Sequence, residues 1–417
     1  MTNTNTLAPI TSADRIQALD AIRGFALLGI LLMNIEGLVG PLMASMSGVD
    51  PALTGADRWA DTAIYLLVQG KFFPLFSMLF GMGFAIMLMR AQAAGRPFVA
   101  VYLRRVLALL VFGLLHALLV WPGDILVTYA LMGLLLLLFF RGTPQSRLPK
   151  WGISLMLVPA ALTMALGLLG SAIQALPGDA SAGMAAALAE QAAEMASVIQ
   201  AERVAYGTGS FGEATAQRLD DFLGMIGFIA IYGFFILGLF LVGAWFARSG
   251  AIARPGEHQR LFTRLRWVAL PVGLAMVLVS YWLEPTTSFD RLDVRASTAQ
   301  ALQMLGGAVM ALSYLAWLVH GMQAPATARL LGLLGPAGRM ALTNYLLQSI
   351  VATWIFFGYG LGYFEQLPRA WQPVYVFVFF ALQVALSHWW MARFRFGPAE
   401  WAWRAATYLN LPAMRRG

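Results

Sequence analysis

The 417-residue chain contains no cysteine. That excludes a disulfide framework, a thiol nucleophile and a thiolate metal site. Charge is scarce as well, at 12% of residues, about half the soluble average. There is no Walker loop, no HExxH and no cluster with metal-ligand spacing, so no metal is expected. The opening stretch MTNTNTLAPITSADRIQALD lacks a basic n-region and a cleavage site, and no removable signal peptide is expected. The alternating ten-residue strands of a membrane β-barrel do not occur. Nor is an internal repeat apparent, which weighs against a transporter built from inverted repeats.

What the chain has instead is apolar length. It is 59% hydrophobic, and runs of about 20 apolar residues recur along it, the span a helix needs to cross a hydrocarbon core of roughly 30 Å. The expected fold is all-α: a polytopic transmembrane bundle of about ten spans, near 22–42, 71–90, 103–121, 124–141, 151–176, 222–247, 267–284, 299–320, 338–360 and 372–392. Residues 52–70 read as a short interfacial helix. A net charge of +8 would suit nucleic acid, but the basic residues are scattered among loops. With the N-terminus in the cytoplasm, 21 of the 28 basic residues fall on the inside, as the positive-inside rule requires. Both termini are then cytoplasmic, and loops 177–221 and 285–298 face outward. The chain divides into a cytoplasmic N-terminal tail (1–21), N-terminal helices carrying the candidate site (22–176), an external helical loop (177–221), C-terminal helices (222–392) and a cytoplasmic amphipathic tail (393–417). The Ala-rich external segment, with Glu190, Glu194 and Glu202, reads more simply as a solvated connector than as a cap over a site.

A charge at the bilayer centre costs about 2.5–3.5 kcal/mol on insertion scales, so polar residues inside spans mark interiors or wet cavities. Three groups stand out. Asn34 and Glu36 sit in the outer half of the first span, with Glu36 expected to be exposed at the interface. His116 and Asp124 flank a Trp-Pro-Gly corner within LLHALLVWPGDILVTYA. His116 lies roughly 18 Å above the inner end of its span, at the depth of Asn34. A direct His116–Asp124 contact requires the corner to dip into the membrane. The pair could then act as a base held in one tautomer by a carboxylate. Structural readings compete: Asp124 is a good N-cap, Trp121 suits an aromatic belt, and His116 could bond a backbone carbonyl. The third group lies in GPAGRMALTNYLLQSI, where Arg339, Thr343, Asn344 and Gln348 form a stripe too polar for lipid. His258, His320 and His388 read as structural. The small-residue runs GFALLG and FGMGF can tighten helix packing.

Four stretches, LDAIRGFALLGILLMNI, HALLVWPGDILVTYALMGLLLL, GRMALTNYLLQS and FGPAEWAWR, resemble the YeiB family of bacterial inner-membrane proteins, and together they run nearly the length of the chain. That family is similar to a wider superfamily of transmembrane acyltransferases. The resemblance implies a bundle with an acyl-donor tunnel from the cytoplasm and an acceptor site on the far side. Asn34 matches the asparagine of the superfamily's first-helix motif. The lysosomal member's proposed histidine, shortly after that asparagine, has no counterpart; the first histidine here is His116.

On this resemblance the expected function is transfer of an acyl (or acetyl) group from cytoplasmic acyl-CoA to an acceptor hydroxyl or amine at the outer face. His116 is the general base, with Asp124 and Asn34 completing the catalytic set. Arg104, Arg105, Arg339, Asn344 and Gln348 are the expected acyl-CoA contacts, the arginines because guanidinium grips phosphate bidentately. Asn34 or Gln348 could serve the oxyanion. Expected partners are membrane lipids and a periplasmic glycan or other acceptor, with no nucleic acid; self-association is compatible with the sequence. The expected location is the bacterial inner membrane. The competing class is a small-solute or lipid transporter with a polar intramembrane site and no covalent chemistry.

Overall fold

The computed structural model describes residues 17–416, so the N-terminal tail with Arg15 lies largely outside the described residues. Every long apolar run forms a helix, as a bilayer demands when no water is present to satisfy backbone groups. Helix α1 spans Gln17–Val39. The short α2 (Leu42–Ser45) and α3 (Gly55–Leu67) lead to α4 (Phe72–Ala93). Helix α5 (Val99–Leu119) turns through the Trp-Pro-Gly corner into α6 (Leu126–Leu135), which a π-helical turn extends to Phe140. Helix α7 (Leu148–Gln174) is followed by α8 (Asp179–Gly207) and α9 (Phe211–Gly224).

The second half opens with α10 (Ile226–Arg248), then α11 (Gln259–Arg264), a π-helical turn and α12 (Leu270–Leu283). Next come α13 (Val294–Gly321), the short α14 (Pro325–Gly332) and α15 (Gly335–Arg339), and α16 (Ala341–Phe356). Helices α17 (Gln372–Arg393) and α18 (Pro398–Tyr408) close the chain. Among the described residues, eight helices are long and apolar enough to cross a membrane; Leu126–Phe140 and Ala341–Phe356 are shorter apolar helices. These ten stand where the sequence places ten spans.

Helix α10 packs against α4 and α7, α13 against α12 and α7, and α1 against α4, α15 and α16. Glycines set the closest approaches. A Cβ on Gly81 would stand 1.9 Å from the Phe240 carbonyl oxygen, and one on Gly243 2.0 Å from that of Met78, so α4 and α10 touch through backbone. In the other small-residue run, Gly24 lies against the Leu334 carbonyl and Gly29 against the Phe72 ring. Gly83, by contrast, has open space where its Cβ would be.

Two segments beside the bundle bury specific polar residues that their sequence did not announce. Helix α8 of the 177–221 segment is largely exposed, as a solvated connector would be, but it also packs on α2, α7 and α9. Glu190 and Glu194 are exposed, but Glu202 is fully buried and accepts a hydrogen bond from the Met43 amide. Beside it the Tyr206 hydroxyl donates to Asp221, and the buried Arg218 guanidinium lies over the Tyr206, Phe211, Phe357 and Tyr359 rings. The stretch expected as an interfacial helix is α3, which keeps Trp59 and Leu67 exposed on one side and turns Asp61, Ile64 and Tyr65 inward on the other. Asp61 of α3 is buried, and its carboxylate accepts from Arg369 at 2.9 Å and from the Asp50 amide.

Candidate functional site

The Trp-Pro-Gly corner folds back into the bundle. The Val120 and Trp121 amides both donate to the His116 carbonyl. Trp121 is buried, and its indole N–H donates to the Gly37 carbonyl of α1 at 2.9 Å, so it is no belt residue. This reversal brings His116 and Asp124 into direct contact: His116 Nδ1 lies 2.9 Å from Asp124 Oδ1, with the two side chains 0% and 1% exposed. The other carboxylate oxygen accepts from the Val127 amide. Asp124 therefore both caps α6 and orients the imidazole. His116 Nε2 is buried and has no hydrogen-bond partner among the described residues. With the proton on Nδ1, a tautomer inferred from the carboxylate contact, Nε2 presents a lone pair. The Tyr345 ring lies 5.0 Å from the imidazole and the Trp121 ring 6.5 Å.

On the other side of Tyr345 is a cavity of about 260 Å³. Its deep end is Ile125, Leu126, Tyr129 and Tyr345. At the end of the bundle where α1 and α5 begin and α4 stops, its wall carries Arg23, Arg90, Arg105, Arg339 and Arg404, with Asp20 and Glu400. Arg23 is paired with Asp20 at 2.8 Å. The Arg105 guanidinium carbon lies over the Trp403 ring, 3.7 Å from its centre. His116 itself does not line this space; one aromatic side chain stands between.

Two stretches distant in sequence form a single joint here. The Glu400 carboxylate accepts from the Leu342 and Thr343 amides and the Thr343 hydroxyl, so α18 caps the N-terminus of α16. Burial pushes the Glu400 carboxyl up from its ordinary value, and those donors pull it back down. The Trp403 indole N–H donates to the Arg105 carbonyl, tying α18 to α5.

Among the residues singled out from sequence, Arg105 and Arg339 line the cavity. Arg104 does not; its guanidinium donates to the Thr407 carbonyl and anchors α18. Asn344 and Gln348 also lie outside the lining. Asn344 donates to the Ala337 carbonyl and Ser387, and Gln348 donates to Gln383 on α17. Their polarity holds helices together. Asn34 is half-buried on α1 and does not line the cavity. Glu36, expected at an exposed interface, is paired with the buried Arg369 at 2.7 Å. Sequence reasoning missed that Glu36–Arg369–Asp61 network, because its partners come from three distant segments. It also missed Lys71, fully buried with its ammonium donating to the Tyr65 and Gln69 carbonyls. A lysine at the start of an apolar run was the available signal.

Comparison with known proteins adds the lineage. Residues 246–410 match the family described as "Protein of unknown function (DUF418)". The chain is 34% identical to the uncharacterized protein YxaH of Bacillus subtilis (strain 168), the match covering 97% of each chain. It is 32% identical to the uncharacterized protein YeiB of Escherichia coli (strain K12) over 94% of this chain and 96% of that one. With the apolar helices above and near full-length coverage of these relatives, the chain is a multi-span membrane protein of the DUF418 family, homologous to YeiB and YxaH.

Proposed function

We propose that the protein is a transmembrane acyltransferase that uses acyl-CoA as donor. One observation carries this reading: a buried His–Asp pair with an unpartnered Nε2 stands one aromatic ring away from a cavity whose wall carries five arginines. Both termini lie in the cytoplasm of a bacterial inner membrane, so the arginine end faces the acyl-CoA pool. Arg105 and Arg339 meet the phosphates, and the thin thioester arm runs inward past Tyr129 toward Tyr345. A rotation of the Tyr345 side chain joins the cavity to His116. Nε2 takes the proton of an acceptor hydroxyl or amine as its heteroatom bonds to the thioester carbonyl carbon. Asp124 stabilises the imidazolium that results. The carbon–sulfur bond then breaks, and the proton on Nε2 passes to the departing thiolate, releasing CoA as a free thiol. Asn34 acts from the acceptor side, positioning the nucleophile.

The absence of cysteine gives a clean assay, because every thiol detected in a reaction with purified protein is released CoA. Wild type is expected to release thiol from acetyl-CoA or a longer acyl-CoA when an acceptor is present. His116→Ala should lower the rate by about 10²–10⁴-fold, the usual contribution of a positioned base. Arg105→Ala and Arg339→Ala should act mainly on KM. Turnover unchanged in His116→Ala would overturn the assignment, and acyl-CoA binding without turnover in wild type would point to transport.

A further inference from the structure

A second cavity, of about 180 Å³, shares no lining residue with the first. It lies between the end of α3, the loop after α2, the loop 284–293 and the start of α13, and its lining includes Tyr65, Gln69, Ser288, Gln300 and Gln303. This end of the bundle is the opposite one from the arginine wall.

Its walls are fixed by hydrogen bonds independent of any ligand. Gly48 pairs with Thr286 as an isolated bridge, and the Val49 amide donates to the Pro285 carbonyl. Gly48 sits at a φ of +89°, and a Cβ there would stand 2.5 Å from the Pro285 oxygen, so glycine is required twice over. On the other side Leu292 accepts from Gln174, and the Val294 amide donates to Ser171, both on α7.

The charges at this cavity are already neutralised. Arg291 is paired with Glu284 at 3.1 Å and with Asp293 at 2.8 Å. The side chains of Gln69, Gln300 and Ser288 make no hydrogen bond among the described residues. Gln303 donates through Nε2 to the Tyr65 carbonyl at 3.4 Å, while its Oε1 is buried without a partner. Unspent amides and hydroxyls, no unbalanced charge and an apolar flank of Met46, Pro285 and Leu292 describe a surface that exchanges several neutral hydrogen bonds at once. A buried carbonyl left without a donor is costly, and a ligand hydroxyl relieves it.

We propose that this cavity binds a neutral polyhydroxylated group, such as the pyranose ring of an uncharged sugar. Binding here stands apart from acyl transfer and does not require it. The test is saturation-transfer NMR on the full chain in phosphatidylcholine nanodiscs, free of glycoside detergent and of CoA. Glucose, methyl glucoside, an alkyl glucoside and glucuronate are the probes. Glucose and methyl glucoside should receive magnetisation from wild type, and Gln303→Leu and the more exposed Gln300→Leu should each cut it by tenfold or more. Transfer to the alkyl glucoside alone would move the ligand from free sugar to a glycolipid headgroup, in keeping with the proposal. No transfer to any neutral sugar, equal transfer in both variants, or glucuronate matching glucose would overturn it. Because no donor is present, failure here leaves the thiol-release result standing, and the reverse also holds.

Discussion

His116 has one nitrogen committed and one spare, and the consequences separate cleanly by substitution. Asp124→Asn keeps an oxygen to accept from the Val127 amide, so the helix cap survives. What changes is the hold on the imidazole, because an amide can donate to Nδ1 and favour the other tautomer. Turnover is expected to fall by about 10–100-fold, the usual range for a group that orients another, with the thermal midpoint nearly unchanged. A large drop in melting temperature with activity intact would show that Asp124 matters only as a cap. A different titration belongs to the α8–α9 hairpin. Burial, with Asp221 adding to it, pushes the Glu202 carboxyl up to about 8. The unfolded chain gives up that proton near the ordinary carboxylate value of about 4.3. Between those values the folded state holds the extra proton, so stability falls as pH rises from about 5 to 8. Asp221, also raised by burial, acts in the same direction. Glu202→Gln should flatten the slope of melting temperature against pH and raise the midpoint at pH 8. A slope unchanged in that variant would place the proton elsewhere.

At the scale of helices, glycines of one short motif have opposite roles. Gly81→Ala forces α4 away from the α10 backbone and should destabilise by about 1–3 kcal/mol, as overpacking does; thermal melts read this directly. Gly83, two residues on, lines the arginine cavity with open space ahead of it. Gly83→Phe should leave the fold intact and obstruct the cavity, raising KM for acyl-CoA or abolishing turnover. Full activity in that variant would show that the cavity is not the donor's route. Much of this level was legible in the sequence. Apolar runs located ten helices, of which eight are long and apolar enough to span, since length and composition go far where the bilayer dictates helicity. The His116–Asp124 pairing was only half legible: the two titratable groups among leucines stood out, but whether the corner dipped far enough to join them, or left Asp124 as a cap alone, depended on tertiary packing. The polar stripe of α16 was visible, but not its uses. Asn344 and Gln348 turn to α17, Thr343 to Glu400 and Arg339 to the cavity. Helical spacing says which residues share a face; it does not say which neighbour that face meets.

For the molecule as a whole, the natural lack of cysteine makes orientation directly measurable. A cysteine placed at Gly183, exposed on α8, should react with a membrane-impermeant maleimide in intact cells. One at Gly142, exposed between α6 and α7, should react only after permeabilisation. The opposite pattern would invert the bundle and put the arginines on the outside, ending the acyl-CoA proposal. Links across the chain were the least legible part. Arg369 reaches Asp61 and Glu36, and Glu400 reaches α16, over separations that no local pattern encodes.

Glu400, Trp403, Arg404 and Tyr408, all on α18, form part of the arginine cavity's wall. A ribosome delivers α18 only after every apolar helix has been made. Until then the chamber is an open trough beneath an uncapped α16, with Arg105 lacking the indole it rests on. Membrane insertion and completion of the cavity wall are thus separate events in biosynthesis. A nascent chain interrupted late would hold every apolar helix yet lack this part of the wall, and its gaping cavity would distinguish it from the finished protein.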